Sequence, residues 1–184
     1  MIRKLTTAEM NRLSPDEVRT ANKVPLIVVL ENIRSAYNVG SVFRTADAFL
    51  LEAVYLCGYT CFPPHKEIRK TALGAEDVVS WQHFPTTTEA IAQLEQAGYT
   101  VYAVEQAAGS LSLSDLPVMP EKTAIILGNE VTGVEQDTIA RCAGCIEIPQ
   151  LGMKHSLNIA TAAGVVIWEL ARKQIAARAV EQPS

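Results

Sequence analysis

Pro25-Leu26-Ile27-Val28-Val29-Leu30 is an unbroken apolar run rich in β-branched residues. A strand with one wet face alternates apolar and polar side chains, so a run without alternation predicts a strand buried on both faces. Thr123 to Leu127 repeats that signature. Strands buried on both faces belong to parallel sheets covered by helices. The rest of the chain agrees. Further strands are expected at 53–57, 78–84, 99–104 and 145–148. Helices are expected at 39–49, 67–72, 88–96, 134–141 and 157–177, with loops at 58–66 and 106–120. Strand and helix signals in alternation give an α/β class: a parallel sheet flanked by helices.

The 184 residues suffice for one domain with a full core. Ser14-Pro15-Asp16-Glu17 reads as a helix start, with a serine cap, a first-turn proline and a glutamate placed to close a capping box. Residues 1–24 are therefore expected as a helical extension ahead of a single domain at 25–180, and the tail at 182–184 is expected to fray. Hydrophobic residues at 48% and charged residues at 20% describe a globular chain rather than a disordered one. No apolar run approaches the roughly 18 residues that cross a bilayer. The first residues lack the apolar stretch and cleavage site of a signal peptide. The expectation is a cytoplasmic protein without membrane contact.

The net charge of −4 is unevenly spread. Residues 1–70 hold ten Lys/Arg against seven Asp/Glu, and residues 71–184 hold six against thirteen. A basic face in the first part can meet a polyanion despite the acidic total. The four cysteines fall as Cys57-x3-Cys61 and Cys142-x2-Cys145. Such pairs invite a zinc reading, but no histidine stands at ligand spacing, and Cys57 and Cys145 fall inside predicted strands. Free thiols that behave as small hydrophobes are expected, with no metal.

Three segments stand where a strand hands over to a helix, the places where ligands gather in parallel α/β sheets. They run from Asn38 to Asp47, from Leu127 to Gly133 and from Ile148 to Ala160. In the first, Asn38 is a candidate helix cap and Gly40 lets backbones approach. Arg44 sits among Val42, Phe43, Ala46 and Phe49, so a buried guanidinium paired with Glu31 or Asp47 is expected. A tight first turn would let it point toward the strand ends. In the second, Gly128 follows a buried strand and leaves room for a cofactor to meet the backbone. Glu130 is a carboxylate within an apolar stretch, suited to capping, to an ion pair or to holding a basic side chain. In the third, Ser156 and Asn158 flank Leu157 at the mouth of a long apolar helix, where either residue can cap. The GxGxxG turn of dinucleotide sites and the GxSxG elbow of hydrolases are both absent.

The order and wording of these segments resemble the SpoU/TrmH branch of the SPOUT methyltransferases, over about residues 25–170. That resemblance implies a C-terminal trefoil knot, which nothing in the periodicity announces. It implies methyl transfer from S-adenosyl-L-methionine to a ribose 2′-hydroxyl of tRNA or rRNA. Arg44 corresponds to the family's catalytic arginine, acting as a proton acceptor or as a fork on phosphate and developing alkoxide. Asn38, Glu130, Ser156 and Asn158 correspond to its other active-site residues. Val104, Gly128 and the backbone near Ile148 and Leu157 correspond to the cofactor pocket. A homodimer through the apolar C-terminal helix is implied, with Arg44 of one chain serving the pocket of the other. Two alternatives stay open: an RNA-binding or ribosome-assembly module that keeps the fold without turnover, and a methyltransferase acting on a base nitrogen. Gln150-Leu151, Asn129 and Val131 depart from the family's commoner residues and bear on specificity.

Overall fold

The computed structural model describes residues 2–181, and on the last helix the side chains as far as Arg172 together with Ile175. The tail at 182–184 lies outside the described residues. In chain order the elements are α1 (Pro15–Thr20), β1 (Val24–Glu31), α2 (Ala36–Ala48), β2 (Leu51–Cys57), α3 (Lys66–Ala72), β3 (Trp81–Phe84) and α4 (Thr87–Gln96). Then follow β4 (Thr100–Val104), β5 (Leu111–Ser112), β6 (Thr123–Leu127), α5 (Gln136–Ile139), β7 (Gly144–Glu147) and α6 (Ile159–Glu181). Among the described residues the seven strands form one sheet in the order β3-β2-β1-β6-β4-β7-β5. Every pairing in it is parallel.

β1 shows why the sheet has two covers. Val24, Leu26, Val28 and Leu30 bury against α2, α3 and α6, while Ile27 and Val29 bury on the opposite face with α4. Strand side chains alternate between faces. An apolar run therefore feeds two cores at once, and the sheet becomes the middle of three layers.

The expected elements differ from the observed ones mainly at their ends. The strand expected at 78–84 begins only at Trp81. Val78 and Val79 instead donate their N–H groups to Ala75 O in a 3₁₀ turn, and Val79 buries against the α2–α3 core. The loop expected at 106–120 contributes the edge strand β5, which pairs with β7 through Leu111 and Ser112. The helix expected at 134–141 spans four residues. α1 carries the expected capping box: the Ser14 hydroxyl accepts from Glu17 N–H, and the Glu17 carboxylate accepts from Ser14 N–H at 2.7 Å. Val18 is the one buried residue of that helix.

All four thiols are free. Burial pushes Cys57 and Cys142 up to about 12, and it raises Cys61 and Cys145 as well. The Cys142 thiol donates to Thr138 O and the Cys145 thiol to Glu105 O. These are neutral packing groups, poor nucleophiles by the standard of thiolate chemistry.

Candidate active site

The C-terminal ends of β1 and β6 meet the start of α6 through one chain of side chains. Ser35, not Asn38, caps α2: its hydroxyl accepts from Asn38 N–H at 3.3 Å. The Asn38 side chain is thereby released from the capping expected of it. Its Nδ2 donates to Glu130 Oε1 at 3.0 Å, and its Oδ1 accepts from Asn158 Nδ2 at 3.1 Å. Asn158 Oδ1 in turn accepts from Ala160 N–H at 2.9 Å and Thr161 N–H at 3.2 Å, so this residue caps α6. The helix therefore starts at Ile159, with Leu157 outside it.

Glu130 is the hub. Besides Asn38, it accepts from Arg34 N–H at 2.9 Å and Ser35 N–H at 3.0 Å. Burial opposes its charge. The N–H groups of Arg34, Glu130 itself and Ser35, with the Asn38 amide, outweigh that cost together and hold the carboxyl below its ordinary range. The carboxylate fixes the start of α2 to the loop after β6.

Beside this chain lies a cleft of about 500 Å³ at the ends of β4, β6 and β7. Val104, Leu127, Ile148, Leu157 and Ile159 provide apolar walls; Glu105, Glu130, Gln150 and Ser156 provide polar ones. That volume and mixture suit a small organic cofactor such as S-adenosylmethionine. Val104, Gly128, Ile148, Leu157, Glu130, Ser156 and Asn158 all line it. Gly128 has a structural purpose as well. A Cβ there would lie 2.2 Å from Gly133 C and Val134 N, so the missing side chain closes the loop onto itself. Gly40 is also structural, since a Cβ would lie 2.3 Å from Ile68 O where α2 meets α3.

Arg44 corrects the sequence reading on two points. It is exposed, not buried. Among the described residues no ion pair or hydrogen bond reaches its guanidinium, so neither Glu31 nor Asp47 is its partner. Nor does it line the cleft: it borders a separate hollow with Ser41, Phe49, Lys70 and Thr71. Six residues of α-helix turn the chain by about 600°, which places Arg44 some 120° around α2 from Asn38. The helix cannot aim both at one point.

Three residues have roles that the sequence did not announce. Glu31 is 1% exposed; its carboxylate accepts from Glu135 N–H at 2.9 Å and the Thr138 hydroxyl at 2.5 Å, anchoring α5. Glu105 accepts from Val134 N–H at 3.1 Å on the cleft wall. Asn129 donates through Nδ2 to Asn32 O and the Tyr59 hydroxyl, while its Oδ1 accepts from Val131 and Thr132 N–H. Glu31 ends β1 and Glu105 directly follows β4, each a carboxylate at the edge of an apolar strand, a signal visible in the sequence. Asn129 carried only its departure from the family pattern.

The comparisons with known proteins agree with this geometry. The family model of the SpoU rRNA Methylase family matches residues 25–168. The chain is 31% identical over 183 residues to the tRNA (guanosine(18)-2′-O)-methyltransferase of Thermus thermophilus, covering 99% of this chain and 91% of that one. It is 26% identical to the 23S rRNA (guanosine-2′-O-)-methyltransferase RlmB of Vibrio parahaemolyticus, covering 92% and 68%. An AdoMet-bound rRNA methyltransferase from Sinorhizobium meliloti superposes with a TM-score of 0.76 at 27% identity, over 88% of this chain and 61% of that one. The A. aeolicus TrmH/SpoU tRNA modifying enzyme shares the fold with a TM-score of 0.79 at 22% identity, over 92% and 85%. A parallel sheet with its cleft at the ends of β4, β6 and β7, and a family match across both, place this chain in the SpoU rRNA methylase family.

Proposed function

We propose that this chain uses S-adenosylmethionine to methylate a ribose 2′-hydroxyl of tRNA or rRNA. The observation that carries the reading is the Glu130–Asn38–Asn158 chain at the mouth of the cleft. When bound, the cofactor supplies an electrophilic methyl group. The protein's own residues do the rest. Apolar walls at Val104, Ile148 and Leu157 hold the adenosine part. Glu130 and Asn38 fix the loops that border the reacting atoms. Ser156, exposed at the rim, is placed to hydrogen-bond substrate or cofactor.

The same reading gives the chain a second copy as partner. α6 buries Ile159, Ala163, Val166, Ile167 and Ala171, yet leaves Val165 40% and Trp168 50% exposed. A helix apolar on more than one side calls for a second cover. Trp168 lies against Phe49 at the C-terminal cap of α2, ring centroids 5.7 Å apart, so the bare patch adjoins the helix that carries Arg44. A partner docked there takes Arg44 toward its own cleft, which this chain's Arg44 does not reach. Arginine keeps its proton in proteins, so the fork role, on a phosphate or the developing alkoxide, is the one assigned to it.

The knot belongs to the proposal too. β7 lies beyond β4, whereas α6 packs back on α2 and β1. The connecting segment must cross the ends of β4 and β6, the passage that threading requires. Residues 25–180 then act as one catalytic unit in the cytoplasm, with 1–24 as an appendage. No helix of the described residues is long and apolar enough to cross a membrane. The test is twofold: calorimetry with S-adenosylmethionine, expected to show one site per chain, and mass-spectrometric mapping of ribose methylation in total RNA with and without the protein. Failure to bind the cofactor, or no ribose whose methylation depends on the protein, rejects the reading.

A further inference from the structure

The loop joining β2 to α3 stands at the same end of the sheet as the cleft and turns aromatic rings to solvent there. Tyr59 is 63% exposed and Phe62 45%. The backbone beneath them is firmly held. Thr60 is buried; its hydroxyl donates to Leu30 O at 3.0 Å and accepts from Ile33 N–H at 2.9 Å. His83 Nε2 bonds Gly58 O at 3.0 Å. The Phe62 ring rests against Trp81 and His83, with centroids 6.0 and 4.5 Å away.

Tyr59 is tied to the site itself. Its hydroxyl accepts from Asn129 Nδ2 at 2.7 Å, and Asn129 is the residue before Glu130. One edge of the ring is therefore anchored beside the carboxylate hub while most of the ring meets water. A chain gains nothing in its own stability by leaving so much apolar surface wet. An aromatic face held rigid at the rim loses little further freedom when a flat ligand stacks on it.

We infer that Tyr59 is the stacking platform for the base of the nucleotide whose ribose is methylated. This rests on the RNA methyltransferase reading above and deepens it. A ribose hydroxyl that enters a cleft brings its base out of the helical stack, and the exposed face of that base needs a new partner. The charge around the loop fits the rest of such a nucleotide. Arg34, next to the Ile33 that bonds Thr60, and Lys66, at the start of α3, are exposed, and among the described residues neither is in an ion pair. They are free to take the flanking phosphates. Asn129 and Tyr59 act as a pair, because the amide that grips the tyrosine also shapes the Val131–Thr132 turn.

The experiment begins from the mapped target. Short RNAs carry either the natural target nucleotide or an abasic one that keeps its ribose and 2′-hydroxyl. Wild type, Tyr59→Phe and Tyr59→Leu are compared for kcat, RNA KM, and binding of the same RNA without cofactor. Calorimetry with S-adenosylmethionine reports on the cleft and on folding. Tyr59→Leu is expected to weaken RNA binding and raise KM about 5- to 150-fold, the range for losing one base stack. Cofactor affinity and the salt slope of RNA binding should hold, since the ring touches no phosphate. Tyr59→Phe keeps the aromatic face and should retain most of the affinity. The abasic RNA should cost the wild type a similar factor and cost Tyr59→Leu nothing more. Multiplicative losses, or Tyr59→Leu binding RNA like the wild type, overturn the assignment. So does a loss of cofactor affinity shared by both variants, which marks a hydroxyl that only clamps Asn129. A wild type that binds the cofactor but methylates no ribose rejects the parent reading instead, and Tyr59's role with it.

Discussion

Glu130 gathers the N–H groups of Arg34 and Ser35 and the Asn38 amide on a single carboxylate at the edge of solvent. In Glu130→Gln one oxygen survives as an acceptor, but an NH₂ group turns toward backbone donors and the charge is lost. Charge-assisted hydrogen bonds are about twice as strong as neutral ones. Methyl transfer is expected to fall about 10- to 150-fold, from the order of 1.5–3 kcal/mol such bonds carry. The pH behaviour follows from the direction of its shift. The folded carboxyl is more acidic than the unfolded one, so its stabilisation is fully present above the unfolded value. It is lost only as pH falls through the lower, folded value. An NMR titration should place Glu130 below the ordinary glutamate value of about 4.3. A midpoint at or above that value contradicts the network.

At the scale of one helix, α2 offers a direct contrast between neighbours. Phe43 is fully buried between the sheet and α6, whereas Arg44 is exposed. Phe43→Ala empties a packed core and is expected to cost about 3–5 kcal/mol in urea denaturation. Arg44→Ala should change stability by no more than about 0.5 kcal/mol. It should leave cofactor affinity nearly intact, yet abolish methyl transfer. Arg44→Lys should be poorly active, because an ammonium lacks the planar fork. Full activity in Arg44→Lys removes the specific role of the guanidinium. These elements were legible in the sequence because burial periodicity is a local property: β1 from Val24 to Leu30 and β6 from Ala124 to Leu127 are apolar without a break, and α4 carries Ala90, Ile91 and Leu94 on one face. Their ends were less legible. Where a strand starts depends on the neighbour it pairs with, as β3 shows by taking up only the residues that face β2.

The whole molecule brings a prediction of assembly. Light scattering at micromolar concentration should report a dimer, and Trp168→Glu should dissociate it by burying a charge in the interface. Mixing Arg44→Ala chains with chains crippled in the cleft, for example by Leu157→Arg, should restore one working site per heterodimer. Monomeric wild type, or no activity on mixing, rejects the shared site. The charge distribution also resolves at this scale. Arg3 is spent on Glu9 and Arg19 on Asp16 at the N-terminal end, whereas among the described residues Arg34, Arg44, Lys66 and Lys70 are in no ion pair, along α2, α3 and the loop before α2. An acidic total thus leaves cations where RNA is proposed to lie.

The sequence alone determined the layered parallel sheet, because continuous apolar runs have no other home in water. It also marked the three handover segments, since glycine, asparagine and serine at strand ends are chosen by local backbone geometry. Only the tertiary structure decided what each polar side chain does there. Asn38 finds Glu130 across 92 residues and Asn158 across 120. No local pattern encodes such meetings. Asn38 looked like a cap and became a bridge once Ser35 took the capping role. Arg44 looked buried because its sequence neighbours are, but helical rotation turned it to solvent. Gly128 lines the cleft, and only the fold shows that its bare α-carbon also admits the return of Gly133 and Val134. Short-range burial fixes which face of an element is wet. Which group stands across from it is fixed by the packing of elements far apart in the chain.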